Sequence, residues 1–237
     1  MLHVGSFAFD AVMMAVFGGL FSGATLAVGK PNSLTEFLYI SNLLAEQLTS
    51  FLFCTPSWLT SYRLFGLRMP PCLCVLHSGG EALSLQLAQD FGREDPHIAF
   101  TNGCGPTETT VYANVLRLET QSQIKGNSVP IGPPIWNTSC VVGCEEQAAG
   151  GTPGELRLGG PRVSRGYVGR ADLTCNAFNV AGRYGRMYKT GDRVRWLSSG
   201  DIEYMGRLDM QVSSVVAQKT RDKPCCVLPG EAEWPKA

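Results

Sequence analysis

Charged side chains are scarce in this sequence of 237 residues. Asp, Glu, Lys and Arg make up 17% of the chain, whereas they make up roughly 25% of a typical soluble domain. The 20 basic residues balance the 20 acidic ones, so the chain lacks the positive excess of proteins that bind nucleic-acid phosphates or anionic membranes. Its 44% of apolar residues is too high for a disordered chain. These features predict a folded protein that binds neither nucleic acid nor membranes.

Cysteine is too rare for a disulfide scaffold. The chain has nine cysteines, and such scaffolds exceed about 8–10% cysteine. The odd number, scattered among apolar runs, favours reduced and buried thiols in a cytoplasmic protein. Cys72 and Cys74 lie too close together for a Cys-x-x-Cys zinc site, and Cys225 and Cys226 have no histidine nearby. We therefore expect no metal site built on cysteine.

Long hydrophobic runs are few as well. Residues 11–29 contain no charge, and about 20 apolar residues can span a bilayer. However, glycines and hydroxyl residues interrupt this stretch and no Lys or Arg precedes it, which argues against a membrane span and a secretory signal. A buried helix over Ala11–Phe21, followed by a short strand over Thr25–Val28, is the better interpretation.

Two patterns divide the chain. Residues 9–112 alternate between helical and strand-like segments, which predicts a mainly parallel sheet with flanking helices. The predicted helices are Ala11–Phe21, Leu34–Gln47 behind an Asn32–Ser33 cap, one that begins at Pro56, and Ala82–Phe91; the strands are Thr25–Val28, Ser50–Phe53, Leu73–His77 and His97–Thr101. From about Gly126, glycine and proline interrupt short apolar runs, which predicts a small distorted β-barrel. The predicted fold class is therefore α/β, with the barrel following the parallel sheet.

The segment Thr101–Thr110 follows a predicted strand and carries small, hydroxyl and carboxylate side chains. Loops at the carboxyl ends of parallel strands are common ligand sites. Gly103 and Gly105 would let a ligand approach the backbone, threonine hydroxyls would meet phosphate oxygens, and Glu108 offers a hard oxygen to Mg²⁺. A polar turn that caps a helix is the alternative.

Three further motifs follow in order: Gly154–Tyr167, Tyr188–Asp192 and Ile202–Val212. With Thr101–Thr110, this set resembles the adenylate-forming enzyme superfamily, and within it the amino-acid-activating adenylation domains of nonribosomal peptide synthetases. The resemblance extends from Phe9 to Val212. It implies a partial adenylate-forming core with an α/β subdomain over residues 1–120, a barrel-like subdomain over 121–206, a hinge motif over 207–212 and a divergent, disordered tail over 213–237.

The resemblance also implies chemistry. The family activates a carboxylate with ATP and Mg²⁺, releases pyrophosphate, and passes the acyl group to the phosphopantetheine thiol of a carrier domain, beside a condensation domain. Asn102 matches the adenine contact, Thr107 the α-phosphate contact, and Glu108 the metal ligand, so that Thr107 and Glu108 are the catalytic candidates. Asp192 matches the carboxylate that binds the ribose hydroxyls, Arg207 a second ribose contact, and Asp209 the hinge. Gly103 and Gly105 complete the expected nucleotide site.

The expected substrate pocket begins at Asp10, which matches the aspartate that binds the α-amino group of an amino acid. Pairing with an ammonium group would offset the cost of burying its charge, although a helix N-cap is a second, compatible interpretation. The other positions that match the pocket lining are Ala11, Met14, Phe53, Leu76, Ser78, Gly103, Val111 and Tyr112. Because this lining is mostly apolar, we expect a neutral hydrophobic or aromatic amino acid.

The sequence departs from the family pattern in three places. Cys104 stands where an aromatic residue usually stacks on adenine. Only nine residues precede Asp10, so the upstream phosphate loop is missing. The match ends at Val212, and the family's catalytic lysine is absent, since Lys219, Lys223 and Lys236 lie in no matching context. We therefore expect a core that is truncated at both ends, either in the protein itself or through an error in the gene model. Alone, this core is expected to form no acyl-adenylate.

Three function classes stay open at this point. The chain could be part of an adenylation domain of a longer synthetase, or a non-catalytic remnant of the fold that binds a ligand or partner. It could also be a relative of acyl-CoA or aryl-acid ligases. Asp10 argues against the third class, because those enzymes need no carboxylate opposite an ammonium group.

Overall fold

The computed structural model describes residues 1–3, 8–118, 128–143, 151–180 and 184–208. Its elements follow the chain in the order β1 (Leu2–His3), α1 (Val12–Phe21), β2 (Ala27–Val28), α2 (Phe37–Glu46), β3 (Phe51–Cys54), α3 (Pro56–Leu64), β4 (Val75–Gly79), α4 (Leu85–Glu94), β5 (Ala99–Cys104), a 3₁₀ turn (Thr107–Thr109), β6 (Asn114–Leu118), β7 (Ser139–Val142), β8 (Gly154–Gly159), α5 (Ala171–Ala177), β9 (Phe178–Val180), β10 (Arg186–Trp196) and β11 (Ile202–Arg207). The predicted hinge residue Asp209 and the tail lie outside the described residues, so these predictions stay untested.

The first sheet has the strand order β2-β1-β3-β4-β5-β6. All neighbouring pairs are parallel except β5 and β6. Its buried face carries Leu52, Leu76 and Phe100, which lie side by side in register and pack in one hydrophobic core with residues of α2, α3 and α4. This confirms the predicted α/β class with a mainly parallel sheet.

Local capping chemistry sets the start of two helices. The Thr55 hydroxyl accepts the Trp58 amide at 3.3 Å, and Pro56 occupies the first position of α3. Ser84 caps α4 through the Leu87 amide at 3.2 Å.

The predicted cap of α2 is wrong. Asn32 has a left-handed φ of 60°, and the Ser33 hydroxyl donates to the Lys30 carbonyl rather than serving the helix. These two residues therefore form a turn, and α2 begins at Phe37 instead of Leu34.

The second sheet is antiparallel, with β11-β10-β8-β7 in sequence and β9 also paired to β10. The pairing of β10 is irregular between Lys189 and Val194, where the register shifts against both neighbouring strands. Such bulges bend a strand and increase its twist. Leu156, Leu158 and Val194 belong to its hydrophobic core. Among the described strands, β11 and β7 stand at the two ends of the strand order.

The two sheets meet at the carboxyl end of β5. The Ile131 amide donates to the Ile202 carbonyl at 2.8 Å, and both side chains belong to the core of the second sheet. Ala113 and Cys104, which flank the loop after β5, pack against the same core. The end of β5 and the end of the following loop thus contact the core of the second sheet.

Helix α1 confirms the predicted helix over Ala11–Phe21, beginning one residue later. The predicted burial of this helix is wrong, because the large apolar side chains Met13, Phe17, Leu20 and Phe21 are exposed. Within the described part of the chain, no helix combines the length and apolarity needed to cross a membrane.

Candidate functional site

The loop after β5 has an unusual backbone. A single 3₁₀ turn, Thr107–Thr109, is followed by Thr110 and Val111, which have left-handed φ values of 63° and 67°. β-branched residues rarely adopt this conformation, and such strain persists where the surrounding structure enforces it. Thr107 is exposed and Glu108 is half-buried, so both could meet a ligand.

The glycines of this segment are required by packing. A Cβ atom at Gly105 would lie 2.6 Å from the Val111 carbonyl oxygen and from the Ala113 amide nitrogen. A Cβ at Gly103 would lie 2.4 Å from Nε2 of His77. The segment Thr101–Cys104 also belongs to β5 rather than to a loop. The sequence-based reason for these glycines, close approach of a ligand, is therefore incomplete, because the protein's own atoms already fill the space.

Glu108 is held by residues that follow β8. Its carboxylate oxygen Oε1 accepts a hydrogen bond of 2.6 Å from the Tyr167 hydroxyl, and its backbone carbonyl accepts the Ser164 amide at 2.8 Å. The Tyr188 hydroxyl is a second neighbour of the carboxylate. Burial, together with the negative charge of Glu108, raises the pKa of Tyr188, so its hydroxyl stays protonated.

Asp192 and Arg207 face each other across β10 and β11. Arg207 Nη1 donates to Asp192 Oδ1 at 3.0 Å and to the Thr190 carbonyl at 2.8 Å. Asp192 is also close to Cys104. Burial raises the pKa of the Cys104 thiol to about 12, and the Asp192 charge adds to this effect. The pair therefore lies beside the end of β5, where the sequence placed the nucleotide site.

Asn102 has less freedom than the expected adenine contact suggests. The residue is 3% exposed, and its Nδ2 donates to the Pro130 carbonyl at 2.9 Å. The side-chain amide thus ties β5 to the segment that enters the second sheet. Its contact with adenine stays a prediction.

Asp10 lies two residues before the start of α1 and does not cap it. The N-cap position is Ala11, and no side chain accepts a hydrogen bond from the first turn, so the capping interpretation is wrong. Asp10 Oδ2 is buried without a hydrogen-bond partner among the described residues. Burial raises the pKa of Tyr112, and the negative charge of Asp10 adds to this effect. Ala11 and Met14 are half-buried in the first turns of the same helix, and Val111 is half-buried beside Tyr112.

The strand pleat corrects two predicted pocket residues. Phe53, His77 and Thr101 lie in register on one face, and alternation puts Leu76 and Ser78 on the other. Leu76 is fully buried in the hydrophobic core, and Ser78 lies in register with Cys54 and Asn102 on that face. His77 and Gly79 therefore share the face of Phe53. A Cβ added at Gly79 would lie 3.2 Å from the ring of Tyr112, another residue of the predicted lining.

His77 was missed by the sequence reasoning. Its ring packs edge-on against Tyr112, with centroids 4.6 Å apart, and its Nδ1 is 2.7 Å from the Thr101 hydroxyl. Burial lowers the pKa of His77 to about 4, so the ring is neutral near pH 7. Nε2 is buried and finds no partner in the described ranges. Residues two apart in a strand share a face, so alternation along β4 places His77 on the same face as Gly79 and could have indicated it. Tyr167 and Tyr188 also had no predicted role, although both lie within recognised motifs.

Comparisons with known proteins give matches over most of the chain. A family model described as "AMP-binding enzyme" matches residues 1–168. Surfactin synthase subunit 2 of Bacillus subtilis (strain 168) is 35% identical over 216 residues, covering 90% of this chain and 6% of that protein. Tyrocidine synthase 3 of Brevibacillus parabrevis is 36% identical over 224 residues, covering 90% of this chain and 3% of that protein. The chain therefore spans a small part of the curated relatives that it matches.

Solved structures give the same result. The nonribosomal peptide synthetase FmoA3 aligns with a TM-score of 0.80 and 26% identity, over 87% of this chain and 23% of that chain. PA1221, a nonribosomal peptide synthetase protein with adenylation and PCP domains, aligns with a TM-score of 0.77 and 28% identity, over 90% of this chain and 44% of that chain. The parallel sheet and the antiparallel sheet thus match the architecture of adenylation proteins.

Proposed function

Because this chain belongs to the AMP-binding enzyme family, we propose that it supplies the ATP and amino-acid sites of an aminoacyl-adenylate-forming domain in a nonribosomal peptide synthetase. In that reaction the amino-acid carboxylate attacks the α-phosphate of ATP, and the products are an aminoacyl-adenylate and pyrophosphate. The aminoacyl group then passes to a phosphopantetheine thiol. A carrier domain and a condensation domain are the proposed partners, and a cytoplasmic location remains a prediction from the sequence.

One observation carries the proposal: carboxylates from three distant segments act on groups at or near the end of β5. Besides burial, the charge of Asp10 raises the pKa of Tyr112, and the charge of Asp192 raises the pKa of Cys104, the last residue of β5. Glu108 follows β5 in the adjoining loop. Carboxylates in one site are unfavourable without positive partners. An ammonium group, a divalent cation and the Arg207 guanidinium would each satisfy one of them.

The nucleotide half of the site fits this scheme. The Asp192 carboxylate can accept hydrogen bonds from a vicinal diol, and Arg207 keeps it oriented beforehand. Thr107 presents an exposed hydroxyl near Glu108. The described residues contain no group of three or more His, Cys, Asp or Glu side chains that could hold a metal ion. A single carboxylate suits Mg²⁺, which typically shares its coordination shell with substrate phosphates and waters, so Glu108 would hold it in that way.

The amino-acid half of the site favours a neutral side chain. Phe53, Met14 and Val111 are apolar, and His77 is neutral because its pKa lies near 4. No side chain in this group offers a positive charge to an acidic substrate, while Asp10 is reserved for the α-amino group. We therefore propose a hydrophobic or aromatic amino acid.

Calorimetric titration of the full chain with ATP, and with a panel of amino acids, tests the proposal. Asp10→Asn should weaken amino-acid binding at least about 10-fold, since a buried charge would lose its ionic partner, and should leave ATP binding unchanged. Asp90→Asn on α4, where Asp90 pairs only locally with Arg93 and Gln86, is the matched control.

Failure to bind any amino acid, or equal binding by wild type and Asp10→Asn, would refute the amino-acid site. Clear amino-acid-dependent exchange of labelled pyrophosphate into ATP would exclude a non-catalytic remnant and would contradict the expectation that the chain alone forms no acyl-adenylate. Absence of exchange is compatible with both remaining classes.

A further inference from the structure

Three contacts join the Glu108 loop to the segment Arg162–Tyr167. The Thr110 hydroxyl donates to the Arg162 carbonyl at 2.9 Å. The Ser164 amide donates to the Glu108 carbonyl at 2.8 Å, and the Tyr167 hydroxyl donates to the Glu108 carboxylate at 2.6 Å. These contacts hold both the strained backbone and the side chain of the loop. We call the segment Arg162–Tyr167 the loop clamp.

The Tyr167 ring is itself held in place. Phe178 lies between Tyr167 and Tyr188, with ring centroids 5.6 Å and 5.0 Å away. Such tilted aromatic contacts favour a defined geometry. The Tyr167 amide also donates to the Thr174 hydroxyl at 2.9 Å. The side chain that meets Glu108 therefore has limited freedom.

Arg186 fastens this arrangement to β10. Its guanidinium lies 4.7 Å from the centre of the Phe178 ring, and it donates to the Ser164 carbonyl at 3.1 Å and to the Arg165 carbonyl at 2.6 Å. One side chain thus fixes both the aromatic rings and the loop clamp. The orientation of Glu108 depends in this way on the second sheet, although Glu108 follows a strand of the first.

The Tyr188 hydroxyl supplies a second polar neighbour. It lies next to the Tyr167 hydroxyl and the Glu108 carboxylate, and the residue is buried. A carboxylate has about four positions at which it can accept hydrogen bonds or bind a cation. Two phenol hydroxyls can occupy part of this capacity and leave the remainder for a cation.

We propose that Tyr167 and Tyr188 are positioning residues that set the orientation of the Glu108 carboxylate in the ligand-free protein, so that it can share Mg²⁺ with bound ATP. This inference rests on the proposed function, in which Glu108 is the metal ligand. In this role the two tyrosines act through Glu108 and not on the reacting atoms. Their effect is to remove the need for Glu108 to reorganise when the nucleotide and the ion arrive.

The test compares ATP dissociation constants of the full chain in EDTA and in Mg²⁺. Tyr167→Phe should reduce the gain in ATP affinity that Mg²⁺ provides by about 5-fold, as expected for part of one charge-assisted hydrogen bond, and should leave affinity in EDTA unchanged. Tyr188→Phe should act in the same direction. Glu108→Gln should abolish most of the gain, and adding Tyr167→Phe to it should have no further effect.

Tyr62→Phe is the matched control, because it also deletes a hydroxyl that is hydrogen-bonded, here to Ser41 and Arg68, but in the core of the first sheet. A second readout needs no ligand. Backbone amides of residues 109–112 should exchange with solvent several-fold faster in Tyr167→Phe, while amides of β4 should not change.

Each result bears on the proposal. Unchanged metal dependence together with unchanged hydrogen exchange in Tyr167→Phe would overturn it, and so would an equal effect of Tyr167→Phe with and without Glu108→Gln. If Glu108→Gln leaves the metal dependence intact while Tyr167→Phe speeds exchange, the metal role of Glu108 fails but the positioning role stands. If the chain binds no ATP, the proposed function fails, and hydrogen exchange alone decides the positioning role.

Discussion

Lowering the pH should destabilise this protein through His77. The residue is 5% exposed, and burial lowers its pKa from 6.5 to about 4. A base with a lowered pKa in the folded state binds its proton more readily in the unfolded state, so protonation favours unfolding. Stability is therefore full above pH 6.5, falls between pH 6.5 and about 4, and falls no further through this group at lower pH.

The size of the effect follows from the two pKa values. A change from 6.5 to about 4 corresponds to about 3 kcal/mol once both states are titrated, and to about 2 kcal/mol at pH 5. For a chain of this size, each kcal/mol changes Tm by about 2–4 °C. Acidification from about pH 7.5 to 5 should thus lower Tm by about 4–8 °C through His77 alone.

Urea denaturation followed by circular dichroism measures this contribution. Wild type and His77→Gln should be compared at several pH values from about 7.5 to 5, because the difference between them removes the titration of carboxylates that both proteins share. His97→Gln is the control, since His97 is exposed, and it should retain the wild-type slope. Parallel pH curves for wild type and His77→Gln would refute the reasoning.

Two substitutions test the packing. Gly105→Ala should lower the free energy of unfolding by about 2 kcal/mol or more, because its Cβ would meet three backbone atoms at 2.6 Å. The control is Gly18→Ala in α1, whose Cβ would meet nothing within 4 Å and which should add about 0.5–1 kcal/mol. Equal melting temperatures of the two variants would contradict this reasoning. Leu76→Ala should lower the free energy of unfolding by about 2–5 kcal/mol without changing which amino acids bind most tightly in titrations. A changed order of affinities would indicate that Leu76 lines the pocket.

The sequence located most strands and helices of the first sheet because their signals are local. Alternating apolar segments, the proline that opens α3 and the glycine pair at the end of β4, Gly79 and Gly80, are local signals that span ten or so residues. Which face of each strand points at the pocket is a different matter. Phe53 and His77 share a face because β3 and β4 pair in that register, and this register depends on contacts between separate segments. An error of one residue in the register exchanges the two faces of a strand. That error selected Leu76 and Ser78 in place of His77 and Gly79.

The conformation after β5 was also beyond local signals. Thr110 and Val111 are β-branched, and nothing in their chemistry indicates left-handed backbone. At Asn32, in contrast, the residue type does carry a signal, because asparagine tolerates left-handed backbone. The same residue type also favours helix caps, and the cap predicted here is wrong. In both places the outcome depends on contacts that the surrounding structure supplies.

The strain at Thr110 and Val111 has a structural consequence for the site. Residues held in this region cost about 1–3 kcal/mol each, and contacts with the loop clamp help to offset this cost. These contacts are made by the Arg162 carbonyl and the Ser164 amide, and Arg186 of β10 holds the same segment. We therefore expect the observed form of the loop that carries Glu108 to be less stable when the second sheet is unfolded. Ligands that bind through Glu108 should for the same reason stabilise the second sheet, even though they contact a loop of the first.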